Sequence, residues 1–224
     1  MKKNIIFDFD GTLVEFPTKF MFDETHRIIN LLGLPKITDE ELEDCFSDFD
    51  FFRFARGLMN DLQAEEQFKN SYWKEFKWHQ FPLGIPFPET AETLGRLSKM
   101  GYELSIATAR VITPEELFEE LNRCGIGSFF KIKHIQTRLS HADEWKDKTP
   151  QIKNLIDTMN IPAEDSMIVG DIPSDVMSGK ETELGFTIAV QSGGIKKEVL
   201  EACEPDAVLL HLGDLPNFLI DLDF

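Results

Sequence analysis

Four stretches of the chain are short continuous apolar runs that end in polar residues: IIFDFDGTLV at 5–14, YELSIATAR at 102–110, SMIVGD at 166–171 and GFTIAVQSGG at 185–194. A run of this length without alternation predicts a strand covered on both faces. Helical patterns separate the runs, which predicts βα units and a parallel sheet. PDAVLLHLGDLPNFL near the end adds a last strand and a short helix. PETAETLGRLSKMG at 88–101 reads as a helix closed by glycine. Thr113-Pro114-Glu115-Glu116 combines an N-cap, a proline at the first helical position and a capping-box glutamate ahead of Leu117 and Leu121.

Residues 16–87 follow a different pattern, helical throughout and without a convincing strand; Thr38 and Glu41 again have capping-box spacing. Most of the chain's aromatic residues fall here, among them Phe20, Phe51, Phe52, Phe54, Phe68, Tyr72, Trp73, Phe76, Trp78 and Phe81. A small helical lobe needs such large side chains to bury enough surface, so packing is preferred to stacking on a nucleobase. The return stretch FPLGIPFPET carries Pro82, Pro86 and Pro88 and reads as a stiff hinge. The expected fold is therefore α/β, with a Rossmann-like parallel-sheet core formed by 1–15 and 88–224 and an α-helical cap, 16–87, inserted after the first strand.

At 224 residues and 42% hydrophobic, the chain can form a full core and an attached lobe. The net charge of -17 argues against general binding to nucleic acid or anionic membranes, both of which need Lys and Arg facing phosphate. No segment is long enough to span a bilayer, and Asp8 and Asp10 interrupt the stretch after MKKN before a signal-peptide core could form. Cys45, Cys124 and Cys203 are odd in number and widely spaced, so they read as reduced thiols of a cytoplasmic protein. The five histidines, His26, His79, His134, His141 and His211, lack metal-ligand spacing.

The candidate chemistry sits at the ends of the apolar runs. A turn explains Asp10-Gly11 but leaves Asp8 close to a core that penalises unpaired charge. Two residues apart at a strand end, Asp8 and Asp10 can face one pocket at the carboxyl end of the sheet, where open α/β folds bind ligands. Asp171 and Asp175, in VGDIPSD, form a second pair. Four converging carboxylates need a hard cation among them, and oxygen ligands of this kind suit Mg2+; calcium fits the same chemistry, although no EF-hand loop is present.

With these residues in view, the chain resembles the haloacid-dehalogenase-like hydrolase superfamily. Four motifs occur in that family's order: DFDGTLV at 8–14, Thr108 in IATAR, Lys148 in DKTPQIKNL, and GDIPSD at 170–175. The insertion after the first motif is similar to that of the phosphoglycolate-phosphatase-like branch. The resemblance implies that Asp8 is a nucleophile taking up a phosphoryl group and that Asp10 protonates the leaving oxygen and then activates water. It implies that Asp8, Asp171 and the Asp10 backbone carbonyl hold Mg2+, with Asp175 in or next to that set. Thr108 and the backbone of its neighbour Ala109 would bind phosphoryl oxygens. Lys148, chosen over the nearby Lys146 and Lys153 by its offset before GD, would steady the nucleophile. Dehalogenases of the superfamily lack the second acid, so Asp10 favours phosphate esters.

Cations are required on physical grounds as well. A carboxylate about 4 Å from a phosphate dianion meets roughly 8 kcal/mol of repulsion at an effective dielectric near 20. Arg53 and Arg56, three apart in FFRFARG and followed by a helix-ending Gly57, could meet a substrate anion from the cap, as could Arg110, two after Thr108. Surface pairing with acids competes for the first two, and bracing of the core for the third. The expected activity is a Mg2+-dependent phosphatase acting on a small phosphorylated metabolite through an aspartyl phosphate. A sugar phosphomutase of the same fold and a non-catalytic sensor of a phosphate ligand are the alternatives. Phosphoglycolate is favoured only by analogy with the insertion, and Glu15-Phe16, where the family often has Asp-Ser, weakens that analogy. Oligomeric state is left open.

Overall fold

A computed structural model describes residues 3–59, 62–139 and 147–222. The chain divides into two compact units, Met1–Phe16 with Gly84–Phe224, and Pro17–Leu83. The first unit is built on a six-stranded sheet of order β3-β2-β1-β4-β5-β6, with every pairing parallel. Its strands are β1 (Asn4–Phe7), β2 (Glu103–Thr108), β3 (Ile135–Thr137), β4 (Ser166–Gly170), β5 (Phe186–Val190) and β6 (Ala207–Leu209). β1 is buried along its whole length, as its unbroken apolar run requires.

Helices α5 (Thr90–Lys99), α6 (Pro114–Arg123), α7 (Thr149–Met159), α8 (Pro173–Glu181), α9 (Lys197–Glu201) and α10 (Leu215–Leu222) belong to the same unit. Gly101, at φ +94°, provides the left-handed residue that stops the chain after α5. The Thr113 hydroxyl accepts the Glu116 N–H at 3.2 Å, while the Glu116 carboxylate accepts the Thr113 N–H at 2.8 Å, closing the capping box of α6. One large cluster fills one side of the sheet, with Phe7, Phe9, Leu94, Leu97, Leu117, Leu121 and Val169 fully buried in it. A smaller cluster of Ile6, Ala107, Ile152, Leu155 and Ile168 fills the other.

The registers line up the carboxyl ends of the three central strands. Phe7 lies opposite Ile106 on one side and Val169 on the other. Asp8, Thr108 and Asp171 therefore leave the sheet together. The chain works outward from β1 to β2 and β3 before crossing to β4 on the far side of β1. The junction of β1 and β4 is thus the switch point of the sheet, where such folds place their ligands.

The second unit contains α1 (Thr18–Leu31), α2 (Asp39–Ser47), α3 (Arg53–Met59) and α4 (Leu62–Glu75). It has its own core of aromatic edge-to-face contacts. Tyr72 is fully buried and meets Phe52 with ring centroids 5.1 Å apart and Trp73 at 4.9 Å. The expected boundary at 88 falls at 84. Val14 bridges Pro86 antiparallel, the Glu15 N–H donates to the Ile85 carbonyl at 2.8 Å, and these ladder contacts draw 84–87 into the first unit. Gly57 does not end its helix: α3 runs on to Met59, since one glycine costs a helix only about 1 kcal/mol. No helix among the described residues is long and apolar enough to cross a membrane.

Candidate active site

Asp8 follows β1 directly, and its N–H continues the ladder to the Val169 carbonyl at 2.9 Å, which fixes the residue beside β4. Gly11, at φ +81°, then turns the chain, with its N–H on the Val14 carbonyl at 2.8 Å. Lys148 immediately precedes α7; its backbone N–H donates to the Ser178 hydroxyl of α8 at 3.1 Å. Its ammonium, fully buried, reaches Asp8 Oδ1 and Asp175 Oδ1, each at 2.6 Å. Asp175 lies in the first turn of α8, and its second oxygen accepts the Ile172 N–H at 3.3 Å. Of the two neighbouring lysines, Lys153 lies within α7 and Lys146 lies outside the described residues.

Asp171 follows β4 and accepts the Thr12 hydroxyl at 2.9 Å. Its carboxylate lies in a slot that only glycines leave open, because a Cβ on Gly11 or Gly193 would overlap its oxygens. Gly170 has the same relation to the Asp175 carboxylate. The Ser192 hydroxyl, donating to the Gly11 carbonyl at 2.6 Å, holds the two glycine-bearing loops together.

Asp8, Asp171 and Asp175 each bring a carboxylate oxygen within 4.8 Å of the others. Three buried acids then face one buried ammonium, an excess of negative charge that burial makes expensive. Burial, with the charges of Asp175 and Asp10 adding to it against Lys148, pushes the Asp8 carboxyl up to about 7. Burial and the charges of Asp8 and Asp175 push Asp171 well above the usual carboxylate range. Burial alone would lower the Lys148 pKa, but Asp175 and Asp8 raise it beyond its ordinary value. A small, hard divalent cation suits this all-oxygen, over-acidic set.

The Asp10 side chain takes a different direction. Its two oxygens accept from Arg110, Oδ2 from Nε at 2.8 Å and Oδ1 from Nη2 at 2.6 Å. Arg110 is buried, lies 4.9 Å from the centre of the Phe9 ring and donates Nη1 to both oxygens of Glu120 at 2.9 Å. Burial alone would lower its pKa; Asp10 and Glu120 together hold it above the ordinary value. Thr108 is buried at the end of β2, its carbonyl taken by Gln151 Nε2 at 2.8 Å and its hydroxyl accepting the Arg110 N–H at 3.2 Å, whereas Ala109 is exposed.

The structure thus brings Asp8, Lys148, Asp171 and Asp175 together, with Asp10 and Arg110 forming a separate pair on the same loop system. Arg53 and Arg56 belong to the helical unit, where they pair with Asp48 and Asp50. Glu120, Thr12, Gly193 and Gln151 complete the arrangement without having been marked in the sequence. Glu120 is one of several acids in α6, and Gly193 lies in the polar end of the GFTIAVQSGG run, so neither carries a local signal.

The family model for haloacid dehalogenase-like hydrolases matches residues 5–189, and the chain belongs to that family. Phosphoglycolate phosphatase of Vibrio parahaemolyticus is 25% identical over 232 residues, covering 95% of this chain and 94% of its own. Pyrophosphatase PpaX of Bacillus velezensis is 30% identical over 213 residues, covering 94% and 93%. Among solved structures, a haloacid dehalogenase-like hydrolase of Streptococcus pneumoniae shares the fold at a TM-score of 0.69 and 21% identity, covering 97% of this chain and 98% of that one.

Proposed function

We propose that the protein is a Mg2+-dependent phosphatase that hydrolyses a small phosphate ester through an aspartyl phosphate on Asp8. The observation that carries this reading is the buried Lys148 shared between Asp8 and Asp175, with Asp171 alongside. Phosphatase relatives that cover nearly the whole chain support it.

In this reading an Asp8 oxygen attacks phosphorus while the bond from phosphorus to the ester oxygen breaks, and Asp10 gives that oxygen its proton. Water then attacks the aspartyl phosphate and passes a proton to Asp10, releasing inorganic phosphate and restoring the Asp8 carboxylate and the protonated Asp10 from which the cycle began. Lys148 keeps Asp8 oriented and offsets the charge that gathers as anion meets anion. The Thr108 hydroxyl hydrogen and the backbone N–H of the exposed residue Ala109 receive phosphoryl oxygens. Asp8, Asp171 and Asp175, with the Asp10 carbonyl, would hold Mg2+, which when bound supplies positive charge for the phosphoryl oxygens.

The test is phosphate release from a panel of alkyl and aryl phosphates and diphosphates, with and without Mg2+, beside Asp8→Asn. Metal-dependent release is expected, with a loss on the order of a thousandfold or more in the variant. Release that survives in Asp8→Asn would remove the nucleophile assignment. Formation of an isomeric phosphate without free phosphate would indicate a phosphomutase instead.

A further inference from the structure

Arg110 reads from the sequence as a residue that could receive a substrate anion, but its guanidinium is already engaged on two edges. One edge, Nε and Nη2, is fitted to both oxygens of Asp10. The other, through Nη1, is held by both oxygens of Glu120 on α6. Glu120 is itself buried, and its Oε1 also accepts the Gly84 N–H at 2.6 Å, in the segment that returns to the first unit. Gly84 is fixed in turn by the Cys124 thiol on its carbonyl at 3.3 Å and by Val14, which a Cβ at that position would strike.

The geometry points to Glu120 and Arg110 as a positioning pair for Asp10: Glu120 sets the plane of the Arg110 guanidinium, and that plane sets the direction of the Asp10 carboxylate. The inference rests on the proposed acid–base role of Asp10 and adds a residue to that machinery. A planar guanidinium gripping a carboxylate by two parallel bonds fixes orientation as well as distance. Its own plane must be fixed from elsewhere, and the Phe9 ring and Glu120 supply that. General-acid help depends on such placement and is worth most for leaving groups that cannot depart as stable anions.

The test compares kcat/KM for p-nitrophenyl phosphate, whose phenolate leaves without a proton, with kcat/KM for the alkyl phosphate best hydrolysed by the parent protein. Glu120→Gln keeps the shape and the acceptor for Gly84 but loses the charge on Arg110. It is expected to lower the alkyl value about tenfold more than the aryl value. Asp10→Asn should shift the ratio in the same direction, and adding Glu120→Gln to Asp10→Asn should shift it no further, because Glu120 acts through Asp10. Equal losses on both substrates, or a further shift in the double variant, would overturn the inference and leave Glu120 a structural residue. If Glu120→Gln does not fold, Arg110→Lys carries the same comparison, since lysine keeps the charge opposite Glu120 but cannot form the two-point grip on Asp10. A parent that hydrolyses aryl but no alkyl phosphate would overturn the positioning role alone. A parent that hydrolyses neither would remove the phosphatase reading, and this inference with it.

Discussion

Asp8 is costly to the fold in the form that chemistry needs. Burial raises its carboxyl from 3.8 to about 7, so the folded chain holds that proton more tightly than the unfolded chain throughout the window between those values. The sign follows directly: with more protons on the native state, stability contributed by this group falls as pH rises through the window. Without metal, the melting temperature of the parent should therefore drop between pH 5 and pH 7.5 relative to Asp8→Asn, which has no carboxyl to ionise. The gap should reach at least about 2–4 °C, the shift that 1 kcal/mol produces in a chain of this size. Parallel melting curves for the two proteins across that range would show the opposite, an Asp8 charge fully compensated by Lys148. Asp8 and Asp171 stand out in the sequence because each ends an apolar run, where a charge is locally out of place; Asp175 stands out only as the second acid of VGDIPSD, since an acid in the first turn of a helix is ordinary, and Lys148 only through the family resemblance, by its offset before GD. Glu120 and Gly193 do not stand out: an acid in α6 and a glycine in a turn look ordinary until Arg110, and the Asp171 carboxylate, are set beside them by the fold.

Elements were readable where their limits are made locally. The capping boxes at Thr38 and Thr113 and the glycine after α5 use only neighbours three or four residues away. β3 escapes such reading because Ile135–Thr137 is three residues long and its extended form is fixed by pairing with Ile106, Ala107 and Thr108 on β2. The packing of α8 on the sheet is likewise invisible in a string of letters. Gly179 faces β4 and β5 so closely that a Cβ there would lie 2.6 Å from Ile168 Cγ2 and 2.7 Å from Thr187 Cγ2. Both methyls sit on buried strand residues, on the β-carbon and so only two bonds from the backbone, and have little room to yield. Gly179→Ala would gain roughly 0.5–1 kcal/mol of helix propensity, but overpacking of this kind costs about 1–3 kcal/mol. The clash wins, and urea unfolding of the variant should give a lower midpoint and a net loss of about 1–2 kcal/mol. A midpoint equal to or above that of the parent would mean that α8 can slide away from the sheet.

At the scale of the molecule, each unit has an apolar core of its own. Among the described residues, the sheet's apolar clusters are made of residues 5–14 and residues beyond 93, and within 17–83 Phe20, Phe52, Tyr72 and Phe76 pack ring against ring. The two chain crossings also run side by side as a hairpin would: Phe87 donates to the Leu13 carbonyl, Val14 bridges Pro86, and Glu15 donates to Ile85. In that register Phe16 falls opposite Gly84, the separation that a two-residue Asn-Gly turn spans. Replacing 17–83 by such a turn should leave a protein that unfolds in one cooperative transition and whose melting temperature rises on addition of Mg2+, because Asp8, Lys148, Asp171 and Asp175 all remain. Calorimetry of the shortened chain with and without Mg2+ makes the check. Aggregation, or the lack of a cooperative transition, would mean that the sheet unit depends on the helical one for its folded state, despite having an apolar core of its own, whereas a cooperative transition indifferent to the metal would count against the proposed Mg2+ site instead.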